Sequence, residues 1–198
     1  MLSSLGELPS KEVYMRHEKL LDQKQTALLI IDMQEAFRQA ISDFTETAAR
    51  IALVAHAAHL LRLPLIITEQ YPQGLGRTVN EIRAVLPDLA PIEKTCFSAC
   101  DAPLFRARLE ETGARQVVVC GIEAHICINQ TVHDLLARGY QVHILTDCIT
   151  SRAAHNKHAA VAKMQMNGAM PSTTEMMLFE LLRDSRHEQF KAIQRLIK

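Results

Sequence analysis

The chain has 198 residues, is 48% hydrophobic and carries 22 basic and 22 acidic residues, so its formal net charge is zero. This length and composition suit one globular domain with short extensions. Balanced charge disfavours nucleic-acid binding, and no apolar run is long enough to cross a bilayer. Residues 1–20 lack a signal-peptide pattern and the five cysteines are scattered, so we expect reduced thiols and a cytoplasmic location.

Short apolar runs alternate with helical segments along the chain. Strands are predicted over 26–32, 63–70, 90–95, 115–122, 140–148 and the start of 169–184. Helices are predicted over 45–62, 78–87, 102–113, 125–139, 156–168, the rest of 169–184 and 188–198, with a loop at 71–76. This alternation predicts a three-layer α/β/α fold with a mostly parallel, Rossmann-like sheet of about six strands.

The chain divides into three parts on this interpretation. An N-terminal extension covers 1–25, the main domain covers 26–184, and a C-terminal helix covers 185–198. The last segment is amphipathic, so we expect it to pack on the domain or on a partner subunit.

Three chemically distinct residues fall where predicted strands end. Asp32 ends the first strand, Lys94 ends the third, and Cys127 lies in the turn and first helical residues after 115–122. In such sheets the site lies beyond the carboxyl ends of the strands. A helix N-terminus and a nearby lysine lower the pKa of a thiol, and a carboxylate can take its proton during attack on a carbonyl. The three residues therefore fit nucleophilic acyl transfer.

Each of the three residues also has a simpler interpretation. Asp32 could cap a helix that starts near Gln34. Lys94 could be an ordinary surface lysine, and Cys127 could be a buried hydrophobe, as free cysteines usually are. Spacing in the sequence does not decide between these interpretations and a catalytic site.

Three longer segments resemble the isochorismatase-like hydrolase family, also called the cysteine hydrolases. They are LLIIDMQEAF, KTCFSAC and VVVCGIEAHICINQTVHDLLARGYQVHILTDC. The resemblance runs from about residue 26 to about residue 182. Two further segments, TEQYPQGLG and TTEMMLFELL, are most similar to the branch of isochorismatase domain-containing proteins.

The resemblance implies the isochorismatase-like hydrolase fold and a catalytic triad of Asp32, Lys94 and Cys127. It also implies a cis peptide bond between Ile122 and Glu123. Backbone N–H groups near Glu123 and Cys127 would then face the substrate oxygen as an oxyanion hole.

Other residues are candidates for the substrate pocket. Phe37 follows the first strand, and Gln70 and Tyr71 follow the second. Tyr71 is equally well interpreted as a subunit contact. Because the family commonly forms dimers or larger assemblies, the resemblance implies a homo-oligomer. We expect a small-molecule substrate, and neither nucleic acid nor membrane as partner.

The sequence also bears on metals and on the remaining cysteines. Nicotinamidases of the family bind a metal through an Asp-x-His segment after the second strand, where this chain has TEQY at 68–71. We therefore predict no metal and no cofactor. Two helical histidine pairs, His56/His59 and His155/His158, have no third ligand at a suitable spacing. The other cysteines are interpreted as core residues (Cys120, Cys148) or as core or pocket lining (Cys96, Cys100).

The presence of Cys127 favours attack on a carbonyl group. We expect a hydrolase that cleaves a C–N bond of a small amide-type substrate through a cysteine thioester. The alternative is a catalytically weak or inactive binding or interaction protein on the same scaffold.

Overall fold

A six-stranded sheet forms the centre of the computed structural model, which describes residues 16–88 and 90–198. The strands are β1 (Thr26–Ile31), β2 (Leu65–Gln70), β3 (Ile92–Lys94), β4 (Gln116–Ile122), β5 (Gln141–Thr150) and β6 (Met170–Ser172). All neighbouring strands pair in parallel, in the order β3-β2-β1-β4-β5-β6. The predicted α/β/α fold with about six strands is confirmed.

Helices cover both faces of this sheet. They are α1 (Phe44–Leu60), α2 (Pro72–Leu75), α3 (Asn80–Arg83), α4 (Pro103–Glu111), α5 (Asn129–Ala137), α6 (Ala154–Met166), α7 (Thr174–Leu182) and α8 (Phe190–Leu196). Two 3-10 turns (Glu35–Phe37, Ala99–Asp101) and a π-helical turn (Ala124–Ile128) complete the regular structure. None of these described helices is long and apolar enough to span a membrane.

Strand β1 shows why the strands of this sheet have continuous apolar sequences. Leu28 and Ile30 belong to a core that includes side chains of α1, α7 and α8. Ala27, Leu29 and Ile31 belong to a second core with α4, α5 and α6. Since both faces are covered, every position of β1 is buried and the strand has no polar alternation.

The strand order places the two central strands at a topological switch point. After β1 the chain adds β2 and β3 on one side, and then returns to place β4, β5 and β6 on the other. The connections that leave β1 and β4 therefore diverge, which opens a crevice at their carboxyl ends. Asp32 follows β1 and the turn that carries Cys127 follows β4, so both lie at this end of the sheet.

The segments on either side of the main domain pack against it. Leu21 is fully buried in the same core as α1, and its N–H donates to Glu180 Oε2 at 2.9 Å. In α8, Ile193 is buried in that core as well, and Phe190 meets Phe179 edge to face. Residues 16–25 and the C-terminal helix are thus packed on the main domain, whereas residues 1–15 of the expected extension lie outside the described residues.

A few element boundaries differ from the predictions. The expected loop at 71–76 contains the single-turn helix α2, which starts with Pro72 at a position that tolerates a missing N–H. The helix expected over 125–139 begins as the π-helical turn and continues as α5. Strand β5 continues to Thr150, beyond its predicted end at residue 148. The register of its pairing with β4 shifts between Val119 and Gly121.

A buried histidine in β5 makes stability sensitive to acid. His143 is almost fully buried, and its Nε2 has no hydrogen-bond partner among the described residues. Burial lowers its pKa from 6.5 to about 4. As the pH falls, His143 therefore takes up a proton in the unfolded chain before it does so in the folded protein. The stabilisation from neutral His143 is present above pH 6.5 and is lost as the pH falls towards 4.

We expect His143→Leu to flatten this acid dependence. Wild-type protein should lose up to about 3 kcal/mol of unfolding free energy through this group as the pH falls, and the variant should lose correspondingly less. Urea unfolding at pH 7, 5.5 and 4.5 measures the difference. His158→Leu, at an exposed position, is the control and should follow the wild type; equal pH dependence in all three proteins would contradict the prediction.

Candidate active site

A buried ion pair lies at the carboxyl edge of the sheet. Lys94 Nζ donates to Asp32 Oδ2 at 2.7 Å, and the two residues are only 5% and 2% exposed. Asp32 directly follows β1, whereas Lys94 is the last residue of β3, where it pairs in register with Gln70 of β2. The sheet therefore brings together two charges that are 62 residues apart in the chain.

The polar groups of both charged residues have partners within the protein. Lys94 Nζ also donates to Gln70 Oε1 at 2.7 Å and to the carbonyl oxygens of Cys96 and Phe97 at 3.2 and 3.4 Å. Thr68 Oγ1 donates to the other carboxylate oxygen of Asp32 at 2.6 Å. Such complete hydrogen bonding is what allows an ion pair to stay buried.

These contacts settle two of the simpler interpretations. The Asp32 carboxylate does not cap the turn that begins at Glu35, because its oxygens accept from Lys94 and Thr68 and the cap position makes no side-chain bond. Lys94 is not a surface lysine. Asp32 also has a left-handed backbone with a φ of 52°, which costs roughly 1–2 kcal/mol for a residue with a Cβ.

Cys127 lies in the π-helical turn that follows β4, and it is 6% exposed. The peptide bond between Ile122 and Glu123, just before this turn, is cis. Burial and, to a lesser extent, the charge of Asp32 raise the pKa of the Cys127 thiol to about 12, although Lys94 opposes the rise. The lowered pKa expected from the sequence is therefore wrong, because burial and a carboxylate outweigh the lysine. The thiol is protonated at rest.

Glu123 is a buried carboxylate beside the thiol-bearing turn. Its Oε1 accepts both the backbone N–H and the Nε–H of Arg152, each at 3.0 Å. Arg152 follows β5, so this contact ties the β5 connection to the segment after β4. His125, two residues further on, shares a 3.0 Å hydrogen bond with Ser151 on the same connection.

The three candidate pocket residues have different surroundings. Phe37 is half-buried against the core near α1. Gln70 is held between Lys94 Nζ and the carbonyl oxygen of Thr95. Tyr71 is 54% exposed and lines a cavity of about 460 Å³ that also includes Lys94 and Cys96. Gln70 and Tyr71 thus lie next to Lys94, whereas Phe37 packs towards the protein interior.

Several polar residues of the site carried no signal in the sequence. Gln34 is buried, and its amide donates to the carbonyl oxygens of Gln70 and Gly76 while its Oε1 accepts the Gln70 N–H. Thr131 and Thr68 are also fully buried. Such residues are usually surface positions, so only the fold identifies them as part of the site.

The remaining cysteines have the surroundings of packing residues. Cys120 and Cys148 are fully buried, which confirms their interpretation as core residues. Cys100 is 1% exposed, while Cys96 is half-buried and lines the cavity beside Lys94. All five thiols are free.

The absence of a bound metal stays a prediction from the sequence. Across residues 16–88 and 90–198, no group of three or more His, Cys, Asp or Glu side chains is placed to hold an ion. The histidine pairs of α1 and α6 lie on their predicted helices.

The strand order and the buried charges at the switch point define a doubly wound α/β protein with its candidate site between β1 and β4. The family model for the isochorismatase domain matches residues 26–176, and the chain belongs to this family. It is 44% identical over 172 residues to isochorismatase domain-containing protein 2 of Macaca fascicularis, covering 86% of this chain and 82% of that protein.

Two solved structures share the fold over most of their length. A protein described as MAR1 ribonuclease from Caenorhabditis elegans is 38% identical with a TM-score of 0.85, covering 89% of this chain and 91% of that one. YcaC from Pseudomonas aeruginosa, described with hexane-2,5-diol and covalent acrylamide, is 26% identical with a TM-score of 0.84, covering 92% and 93%. Both structures share the fold of this chain over nearly their whole length.

Gly121 is required where β4 passes β1 next to the site. Its φ is +119°, and a Cβ there would lie 2.0 Å from the carbonyl oxygen of Ile31. We expect Gly121→Ala to destabilise the protein by about 3–5 kcal/mol, or roughly 10 °C in Tm. Thermal unfolding followed by circular dichroism measures the shift.

Gly113→Ala is the matched control for this substitution. Gly113 has a φ of +65°, but a Cβ there would meet nothing within 4 Å. It should therefore show only the backbone penalty of about 1 kcal/mol. Equal losses in the two variants would mean that contact with Ile31 is not the constraint.

Proposed function

We propose that this protein is a cysteine hydrolase that cleaves a C–N bond of a small amide-type substrate through a thioester on Cys127. The observation that carries the proposal is the buried Lys94–Asp32 pair, whose charges both act on the Cys127 thiol. Membership of the isochorismatase family supports the hydrolase class. The same three groups would be needed for acyl transfer by a thiol that is protonated at rest.

Acylation begins with the neutral thiol. Asp32 accepts the proton as Cys127 Sγ forms a bond to the carbonyl carbon, and the carbonyl oxygen becomes an oxyanion. The C–N bond then breaks, and the leaving amine takes the proton from Asp32. This step leaves an acyl group on Cys127 as a thioester and returns Asp32 to its carboxylate form.

Water completes the cycle. Asp32 accepts a proton from a water molecule as the water oxygen attacks the thioester carbon. The C–S bond then breaks. The departing thiolate takes the proton back from Asp32. The net reaction adds water across the C–N bond and yields an acid and an amine, so the enzyme is unchanged.

The remaining roles follow from charge and position. Lys94 keeps a positive charge beside the thiol and would stabilise the negative charge that develops during attack. Backbone N–H groups around the cis Ile122–Glu123 peptide and at Cys127 would donate hydrogen bonds to the oxyanion. Gln70 and Tyr71, beside Lys94, would contact the substrate.

One relative and the surroundings of the site each add support. Pseudomonas aeruginosa YcaC is described with covalent acrylamide, and acrylamide is an electrophile that adds to nucleophiles. The cavity beside Lys94 has exposed apolar neighbours, since Tyr71, Phe97 and Leu104 are each more than half exposed. Such a group of apolar side chains favours a homo-oligomeric contact near the site.

A second candidate function comes from the C. elegans relative, which is described as a ribonuclease. The zero net charge of this chain disfavours extensive phosphate binding. RNA therefore belongs in the substrate panel as a competing outcome. Cleavage of RNA without turnover of any amide would overturn the amide proposal.

We expect Cys127→Ala to abolish turnover. A panel of small amides, imides and carbamoyl compounds, assayed by product release, should first identify a substrate. The variant should then fall to background, because no thioester can form, while its circular dichroism spectrum and Tm stay close to wild type. A fully active Cys127→Ala protein would exclude the mechanism.

Cys120→Ala is the matched control for this thiol. Cys120 is fully buried in β4, so its loss should lower stability by about 1 kcal/mol and leave turnover intact. If ligands of the panel raise the Tm and none is hydrolysed, the chain is a binding protein on the same scaffold.

We also expect Asp32→Asn to lower kcat by about 10²–10⁴-fold, the usual contribution of a general base. The amide oxygen still accepts a hydrogen bond from Lys94 or Thr68, but Lys94 loses its counter-charge, so we also expect a stability loss of about 3–5 kcal/mol, which the Tm measures. Asp147→Asn is the control, because Asp147 accepts the Thr174 N–H away from the site. Similar kcat losses in both variants would contradict the assignment of Asp32.

A further inference from the structure

One buried hydroxyl joins the segment after Lys94 to the residue that carries the candidate nucleophile. Thr131 is fully buried in α5. Its Oγ1 donates to the carbonyl oxygen of Cys127 at 2.7 Å and accepts the backbone N–H of Ala99 at 2.9 Å. A threonine that bonds back to the fourth residue before it is common in helices, but the bond from another segment is not part of that pattern.

The segment that Thr131 holds is the one that supports Lys94. The carbonyl oxygens of Cys96 and Phe97 accept from Lys94 Nζ. Ser98 fixes the same segment a second time, since its hydroxyl donates to Asp134 of α5 and accepts the N–H of Cys100. Two bonds to α5 thus hold the backbone that in turn holds the ammonium group.

We propose that Thr131 is a positioning residue that sets the place of the Lys94 ammonium relative to the Cys127 thiol, with Ser98–Asp134 as a second tie. The inference deepens the proposed function and rests on it. Without the Thr131 hydroxyl, the buried Ala99 N–H and the Cys127 carbonyl each lose a partner. The 95–101 segment can then move, and Lys94 moves with the carbonyls it binds.

The charge near Cys127 can be measured without a substrate. Iodoacetamide is neutral and iodoacetate is an anion of similar size, so the ratio of their alkylation rates reports the local charge around a thiol. Mass spectrometry of the Cys127 peptide gives both rates for this cysteine alone. A change in access alters both rates equally, whereas displacement of Lys94 lowers the iodoacetate rate more.

We expect Thr131→Val to lower the iodoacetate-to-iodoacetamide ratio at Cys127 by at least about threefold, the scale of one charge moved by a few ångströms near the surface. Thr131→Ser keeps the hydroxyl and should keep the ratio. Thr26→Val is the matched control. It removes another buried hydroxyl, bonded to Asp22 at the amino end of β1, and should leave the ratio unchanged.

Three results would overturn the proposal: an unchanged ratio in Thr131→Val, an equal slowing of both reagents, or the same fall in Thr26→Val. If Thr131→Val does not fold, Ser98→Ala tests the second tie and must lower the ratio, and no change there would equally overturn it. The amide panel tests the proposed function separately. A fall in the ratio together with an inactive panel keeps the positioning role and rejects the hydrolase.

Discussion

The buried Asp32–Lys94 ion pair is the interaction on which the arrangement of the site depends. Removing two charges from water costs several kcal/mol for each ion, and their attraction offsets this only when the remaining hydrogen-bonding groups are satisfied. The protein meets this condition with Thr68 on the carboxylate and with Gln70 and the Cys96 and Phe97 carbonyls on the ammonium. Much of the buried polar structure between β1 and β3 therefore exists to satisfy this pair.

The pair also determines the state of the nearby thiol. An isolated lysine beside Cys127 would favour the thiolate, but the neighbouring carboxylate and burial favour the neutral form, and together they prevail. A thiol of this kind is unreactive until its proton is removed. In the proposed mechanism, Asp32 adds to the effect of burial in keeping the thiol neutral and also accepts its proton, so reactivity would depend on the arrival of a substrate carbonyl.

The predictions from sequence succeeded where one local property decides the structure. The strands were found because both sheet faces are buried and the runs are apolar throughout, as in β1. Asp32, Lys94 and Cys127 were selected from strand ends and from the family resemblance, and the fold brings all three to one edge. Residues such as Gln34 and Thr131 could not be found, because their polar groups matter only through partners far along the chain.

The sequence by itself determined the fold class, the family and the three candidate residues of the site. These follow from the period of apolar residues and from short local motifs, which are properties of neighbouring positions. Only the tertiary structure decided that Lys94 is buried, that the pKa of Cys127 is raised, and which carbonyls hold the ammonium. Burial and electrostatic coupling depend on atoms that the fold brings together from distant segments, so no local pattern encodes them.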